Sequence, residues 1–402
     1  MKMQTRLASW KNKLLNRPGK LALASSVLSS IPTYYMQINW LPQSLCESID
    51  QTTRNFIWKG ANDKGVHLVG WKKIAKPKHL GGLGIRTARE ANTCLLGNLV
   101  WDLIQNNNKL WVNLFMNKYS AGPSLLHASI TASSSPTWSS IIRAKNVLKS
   151  GYSWRAGSGT SSFWFSSWSV FGPIGSLVPV IDIHDLHLTV KDVITRSGKR
   201  SQLLYTSLPP AVSDFINNSN LRFNDAVDDG FIWHHNQNGV YSTKSGYNWL
   251  LSFQEDHLVI LSWSWIWRQK LPKKFKFFIW LACHNSIPTL SLLHHRNIAP
   301  SATCTRCGDF DETVFHCIHD CRFSKHIWQH LGFSDSSFFL ADSVRNWILD
   351  ELNGLRAILL AASMWWVWRY CNSMCLNTKT IHHSRLMSQI HTAAEDINRS
   401  YY

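Results

Sequence analysis

The feature that most limits how this chain can fold is a short ordered run of metal-ligand residues, Cys304-x2-Cys307-x8-His316-x4-Cys321. Two cysteines separated by two residues make a tight knuckle whose backbone N–H groups can point at thiolate sulfurs. A second pair on a following helix or turn completes a tetrahedron. Four protein ligands of nitrogen and sulfur define a closed, structural zinc site with no open position for catalysis. Metal binding would then supply folding free energy to the segment. Cys317 and His319 stand close enough in sequence to replace His316 as third ligand. Four ordinary cysteines would account for the first pair alone, but not for the ordered four. A redox pair is a poor rival, because no βαβ pattern surrounds Cys304, and so is a catalytic zinc, because the glutamate general base of an H-E-x-x-H helix is missing.

The other cysteines, at 46, 94, 283, 371 and 375, are scattered and bring the total to nine. An odd, clustered set is the usage of a reducing compartment with one metal site, not of a secreted disulfide framework. A nuclear or cytoplasmic protein is therefore expected. Membrane insertion is not, since runs such as Phe275–Cys283 and Ile358–Tyr370 fall short of the roughly 18–20 apolar residues a span requires. The start is rich in Lys and Ser and free of acid, as a transit peptide would be, but Trp10 to Pro42 finds a better account below.

Net charge is +18, and residues 1–90 hold 15 Lys or Arg against 4 Asp or Glu. No acidic residue precedes Glu47. Such a field favours a polyanion, RNA or DNA above all, although a solubilising surface would read the same way. A second basic stretch runs into the cysteine knuckle, where Lys270, Lys273, Lys274 and Lys276 interleave with Phe275, Phe277 and Phe278. Exposed aromatics could stack bases. An amphipathic helix with its aromatics in the core is the preferred reading, and its lysines can meet phosphate in either case. The nucleic-acid candidates are thus Lys11, Lys13, Lys20, Lys72, Lys73, Lys270, Lys273, Lys274 and Lys276.

With 402 residues, 45% of them hydrophobic, the chain can bury a core across two or three domains. The pattern is mainly α with small β hairpins. Leu7, Trp10, Leu14, Leu21, Ala24 and Leu28 suggest two helices over 5–31, joined by a turn at Pro18-Gly19. A helix over Ser44–Trp58 follows, then loops and short strands over Lys59–Gly84. A long helix over Thr87–Tyr119 would present Leu95, Leu96, Leu99, Leu103, Leu110 and Leu114. Ser120–Thr137 reads as a linker. Tyr152–Trp168 and Phe231–Thr243 read as hairpins. Helices are expected over Ser245–Phe253, Trp263–Trp267, Lys274–His284, Thr289–Arg296, Lys325–Leu331, Ser343–Cys371 and Ser384–Asn398.

Catalytic motifs are sparse. Asp228-Asp229 imitates the paired aspartates of a polymerase, but one such pair in a polar stretch is usually a solvated turn, and no other carboxylate has a clear claim to join it. Neither a phosphate-binding P-loop nor a complete dinucleotide loop is present.

An ordered set of short elements carries a more specific signal. Leu7 to Lys11, Pro18 to Lys20 and Ile31 to Tyr34 come first, then Phe56 to Trp58, Trp71, Gly81 to Gly84, Asn92, Trp101, Trp111 and Tyr119. Trp154-Arg155 with Gly157 and Gly159 follows, then Trp233, Gly239 to Ser242, Lys244 to Tyr247, Trp265 to Trp267, Pro272 to Phe275, Phe278 to Trp280, the four candidate ligands with Glu312, Trp328, and Trp365 to Arg369. In this order they resemble the C-terminal half of the reverse-transcriptase polyprotein of plant LINE-type (non-LTR) retrotransposons, including its zinc-binding domain. Pro18 and Asn372 depart from the family pattern. The resemblance implies a basic, helical, thumb-like region over 1–120, a linker and Trp/Gly-rich connector over 121–230, a reverse-transcriptase zinc-binding domain over 231–345, and C-terminal helices over 346–402. It places the family's endonuclease and its Tyr-x-Asp-Asp polymerase turn upstream of this chain, its ribonuclease H downstream, and Asp228-Asp229 in the connector. The function expected is that of a non-catalytic, zinc-binding reverse-transcriptase fragment with non-specific affinity for RNA or DNA. The rivals are a zinc-stabilised module that binds a protein partner, and a chain that completes a polymerase in trans.

Overall fold

The computed structural model describes residues 15–59, 65–105, 108–119, 125–194, 204–219, 221–253, 262–377 and 382–401. Its longer elements run, in chain order, α1 (Arg17–Leu23), α2 (Gln43–Trp58), α3 (Ala88–Ile104), α4 (Leu110–Tyr119), α5 (Pro136–Leu148), β1 (Tyr152–Arg155), α6 (Pro210–Asn218), β2 (Gly230–Trp233) and α7 (Thr243–Ser252). They continue with α8 (Ser264–Arg268), α9 (Lys273–Cys283), α10 (Leu290–His295), α11 (Arg322–His330), α12 (Val344–Leu352), α13 (Ala357–Asn377) and α14 (His383–Tyr401). The fold is mainly α, with a two-stranded antiparallel sheet. No helix among the described residues is long and apolar enough to cross a membrane.

The described residues form two compact units. The first draws on Met1–Ser29, Asp50–Arg86 and His257–Tyr402, the second on Ser30–Ile49 and Thr87–Asp256.

In the second unit, α3 packs against α5 and α7. Leu96, Val100 and Leu103 of α3 meet Trp138, Ile141, Trp233, Tyr241 and Trp249 in one apolar cluster. The phenol of Tyr241 lies between two glycines: a Cβ on Gly97 would come 2.2 Å from its Oη, and one on Gly246 2.4 Å. Only residues without side chains let α3 and α7 approach this ring so closely. Ser242 caps α7 in a reciprocal pair with Ser245, and Tyr247 Oη accepts the Thr87 N–H at the start of α3. The stretch from Gly239 to Tyr247 is thus a set of caps and close approaches. A second apolar cluster surrounds Phe163, Trp164 and Trp168.

Several local expectations are corrected. Of the two helices expected over 5–31, the first lies outside the described residues; in the second, Pro18 does not form the joining turn but stands in the first turn of α1, where its missing N–H costs nothing, and Asn16 caps that turn through the Gly19 N–H. The expected long helix over Thr87–Tyr119 is two, divided at the polar run Gln105 to Lys109. The break resets the helical phase, so Leu110 and Leu114 are exposed. No strand lies among the described residues of Lys59–Gly84. The two expected hairpins instead pair with each other: Tyr152 faces Trp233 and Arg155 faces Gly230. Ser343–Cys371 is interrupted at Asn353-Gly354, which ends α12.

The first unit is organised around α9. Its Phe275, Phe277, Phe278, Ile279, Trp280, Leu281 and Ala282 are all buried, and it packs against α1, α12 and α13. The aromatics of the basic stretch are therefore core, as their spacing suggested. Trp280 Nε1 donates to the Gly81 carbonyl at 2.8 Å, and a Cβ on Gly82 would meet the Lys76 carbonyl at 1.8 Å. Close packing explains Gly82, and left-handed backbone, φ +86° and +72°, explains Gly81 and Gly84.

Candidate metal centre

Residues 302–312 form a narrow loop. Thr303 and Asp311 make an isolated antiparallel bridge, the Cys304 N–H donates to the Phe310 carbonyl at 2.9 Å, and the Glu312 N–H donates to the Ala302 carbonyl at 2.8 Å. Gly308, at φ +76°, closes the turn with its N–H on the Cys304 carbonyl. Inside it, the backbone N–H groups of Cys307 and Arg306 reach the Cys304 sulfur, as the two-residue spacing requires.

The second ligand pair needs a different device. In an α-helix, residues five apart point about 140° away from one another. Here His316–Asp320 forms a π-helical turn, and the Cys321 N–H reaches back to the His316 carbonyl at 3.0 Å. This wider turn brings both side chains to one side. Cys321 then leaves the helical conformation and becomes the N-cap of α11, where the Phe323 N–H reaches its sulfur. An anionic sulfur is favoured at such an end. Trp328 of α11 fixes the turn by donating to the Ile318 carbonyl at 2.8 Å.

Cys304, Cys307, His316 and Cys321 are all buried, and their donor atoms lie within 4.8 Å of one another. Cys307 Sγ and His316 Nε2 are 3.3 Å apart. Tetrahedral zinc with sulfur and nitrogen ligands sets its donors roughly 3.6–3.8 Å apart, so the cluster has the right size. The protons of the thiols also fit. The contact with Cys321, aided by His316 and the two N–H groups, holds Cys304 far below the usual thiol range. The same contact with Cys304, followed by burial, pushes Cys321 far above it. The pair shares a proton that a dication displaces.

Of the two alternative third ligands, His319 is fully buried but stacks on Phe315 at 4.4 Å, and its nitrogens lie 2.9 Å from the Phe338 carbonyl and 2.7 Å from Asp320 Oδ1. Cys317 is also turned away from the four, beside Cys371. The geometry brings His316 to the three cysteines.

The sequence reading missed Arg306, which sits between two ligand cysteines. It is 6% exposed and donates to Ser324 Oγ at 3.0 Å and to the Cys317 carbonyl at 2.8 Å. Burial alone would weaken its charge; Cys371, Cys317, Cys321 and Cys304 more than offset that and hold it charged. Three thiolates, a neutral imidazole and a dication carry one net negative charge, which the guanidinium balances. Glu312, which the resemblance names without a role, is a buried carboxylate. It accepts the Leu290 N–H at 3.2 Å and the thiols of Cys371 at 3.0 Å and Cys375 at 3.3 Å, tying α13 to the loop of the centre.

The candidate lysines divide. Lys20 donates to the Lys59 carbonyl at 2.6 Å, and Lys276 to the Trp267 carbonyl at 2.9 Å. Burial lowers the basicity of both, with Arg17 adding to the effect at Lys20 and Lys78 and Lys273 at Lys276. Lys72, Lys73, Lys270, Lys273 and Lys274 are exposed. Lys11 and Lys13 lie outside the described residues.

Asp229 is more than a solvated turn residue. Its carboxylate accepts the N–H groups of Gly157, Gly159 and Ser161 at 2.6–2.9 Å, and clamps the loop after β1. A Cβ on Gly157 would come 2.2 Å from the Val227 carbonyl, and Gly159 has φ +77°. The Trp-Arg-x-Gly-x-Gly element is the recipient of this clamp.

Residues 241–328 match the family described as zinc-binding in reverse transcriptase. The chain is also 28% identical, over 396 residues, to a protein of Arabidopsis thaliana named "Putative ribonuclease H protein". The similarity covers 92% of this chain and 62% of that relative's length. Four converging donors inside the matched stretch fit its described metal, and the cofactor of this centre is zinc. The chain therefore carries a zinc-binding region of the reverse-transcriptase kind.

Proposed function

We propose that this chain is a non-catalytic part of a plant LINE-type retrotransposon reverse transcriptase that binds RNA or DNA without sequence preference. The observation that carries the reading is the closed Cys304–Cys307–His316–Cys321 centre, in the same compact unit as the exposed Lys72, Lys73, Lys270, Lys273 and Lys274. A fully ligated zinc supplies folding free energy and leaves no position for a reacting water. Lysines supply the counterion-releasing contacts from which non-specific affinity arises. The relative's name, a ribonuclease H protein, agrees with a setting in nucleic-acid metabolism. The engagement of Asp229 with the loop after β1 supports the non-catalytic part of the reading.

The zinc centre of this chain has a positioning role alone. When bound, zinc joins the 302–312 loop to α11. The residues of the chain do the rest: Arg306 balances the charge, the knuckle N–H groups orient Cys304, and α11 stabilises the Cys321 thiolate.

Gel-shift titration with single-stranded RNA, single-stranded DNA and duplex DNA over a salt series tests the proposal. The expected affinity is on the order of 10⁻⁴–10⁻⁶ M at physiological salt, tightening steeply as salt falls. Alanine at Lys72, Lys73, Lys273 and Lys274 should flatten the salt slope. Failure to bind any of the three at low salt would overturn the reading, and a salt-insensitive complex with a protein would favour the interaction-module alternative. Primer extension by the isolated chain would overturn its non-catalytic part.

A further inference from the structure

Beyond the buried centre, the first unit gathers three histidines at its surface. His326 and His330 stand four residues apart on α11, so both rings leave the same face. His383, the first residue of α14, comes against them. Ring centroids are 4.2 Å apart for His326–His330, 5.5 Å for His326–His383 and 5.0 Å for His330–His383. One donor nitrogen from each ring lies within 4.8 Å of the others, and all three residues are exposed. His330 Nδ1 is 2.9 Å from the His326 carbonyl. A carbonyl can only accept, so Nδ1 carries the proton and Nε2 keeps its lone pair, the tautomer a metal needs.

His383 is kept below the usual histidine value by burial first, then by His330 and His326. Donor nitrogens of a tetrahedral three-imidazole site lie about 3.4 Å apart, a distance exposed rings reach by small side-chain rotations.

We propose that His326, His330 and His383 form a second metal site, open to solvent, for a borderline divalent transition ion such as Zn²⁺ or Cu²⁺. A neutral donor set leaves the ion its full double charge and one position for water or an anion. Imidazole selects such ions over Mg²⁺ and Ca²⁺. A bound ion would clasp α14 to α11, the helix that Cys321 caps.

The test uses the full chain dialysed to equilibrium against excess Zn²⁺, with bound zinc counted by mass spectrometry for the wild type and for the triple variant His326→Ala, His330→Ala, His383→Ala. The wild type should hold one ion more than the variant. Cu²⁺ added to the zinc-loaded wild type should show an electron paramagnetic resonance spectrum with coupling to three nitrogens, lost in the variant. Far-UV circular dichroism checks that the variant folds. If it does not, His383→Gln, at the exposed first position of α14, carries the same comparison. Equal zinc counts, with a copper spectrum unaffected by the substitutions, would overturn the proposal. Because the reading is a difference, it stands or falls separately from the buried centre.

Discussion

At the scale of single residues, charge balance sets the sharpest expectation. Arg306 is the buried cation beside a centre of net negative charge. Arg306→Met should destabilise the zinc-loaded protein by roughly 3–5 kcal/mol, because it strands that charge, whereas Arg306→Lys should lose less. Denaturant midpoints and zinc release to a chelator measure both; a neutral Arg306→Met would mean that the charge is balanced elsewhere. His284 gives a pH expectation. Burial drives its pKa down to about 4 from an unfolded value of 6.5, the Gly81 carbonyl opposing and Lys73 and Arg345 adding to the fall. Between those values the unfolded chain binds a proton that the folded chain refuses. The stability due to neutral His284 is therefore complete above pH 6.5 and is lost as pH falls toward 4. His284→Gln should flatten the stability profile in that window, and an unchanged slope would contradict the assignment. The four donors that converge were legible because their spacing is local. Arg306 was not, since its role depends on the Cys317 carbonyl and Ser324, and the role of Glu312 was not, since its thiol partner Cys371 lies 59 residues away.

At the scale of elements, helices were legible where an apolar face runs unbroken, as in α9, and their ends were not where a short polar run resets the phase, as between α3 and α4. The strands were legible as strands, but their partners were set by burial of Tyr152 against Trp233, which local pattern does not encode. Two substitutions test these elements. Asp229→Ala removes a carboxylate from three backbone donors and should cost about 2–3 kcal/mol in urea unfolding; a change within error would mean that water replaces it freely. Gly246→Ala presses a methyl group onto Tyr241 Oη and should cost roughly 1–3 kcal/mol. Adding Tyr241→Phe removes the clashing oxygen, so the double variant should lose less than the sum of the two singles. Strict additivity would show that the contact with the Tyr241 oxygen is not the cause.

At the scale of the whole molecule, three of the ordered motifs serve as scaffold. Gly81 to Gly84 receives Trp280, Gly239 to Tyr247 places Tyr241 and two caps, and Trp-Arg-x-Gly-x-Gly receives Asp229. These three motifs are thus explained by packing and hydrogen bonding, whereas the zinc centre has its own chemistry. Its removal should act on structure first: a strong chelator is expected to lower the helical signal, with zinc restoring it.

Cobalt substitution tests this central claim most directly. Co²⁺ bound to three thiolates and one imidazole in a tetrahedron should give intense visible bands together with sulfur-to-metal charge-transfer absorption in the near ultraviolet. Cys304→Ser and Cys321→Ser should each weaken the charge-transfer band, and the three-histidine variant should leave it intact. A spectrum without thiolate charge transfer, or one indifferent to both cysteine substitutions, would contradict the account.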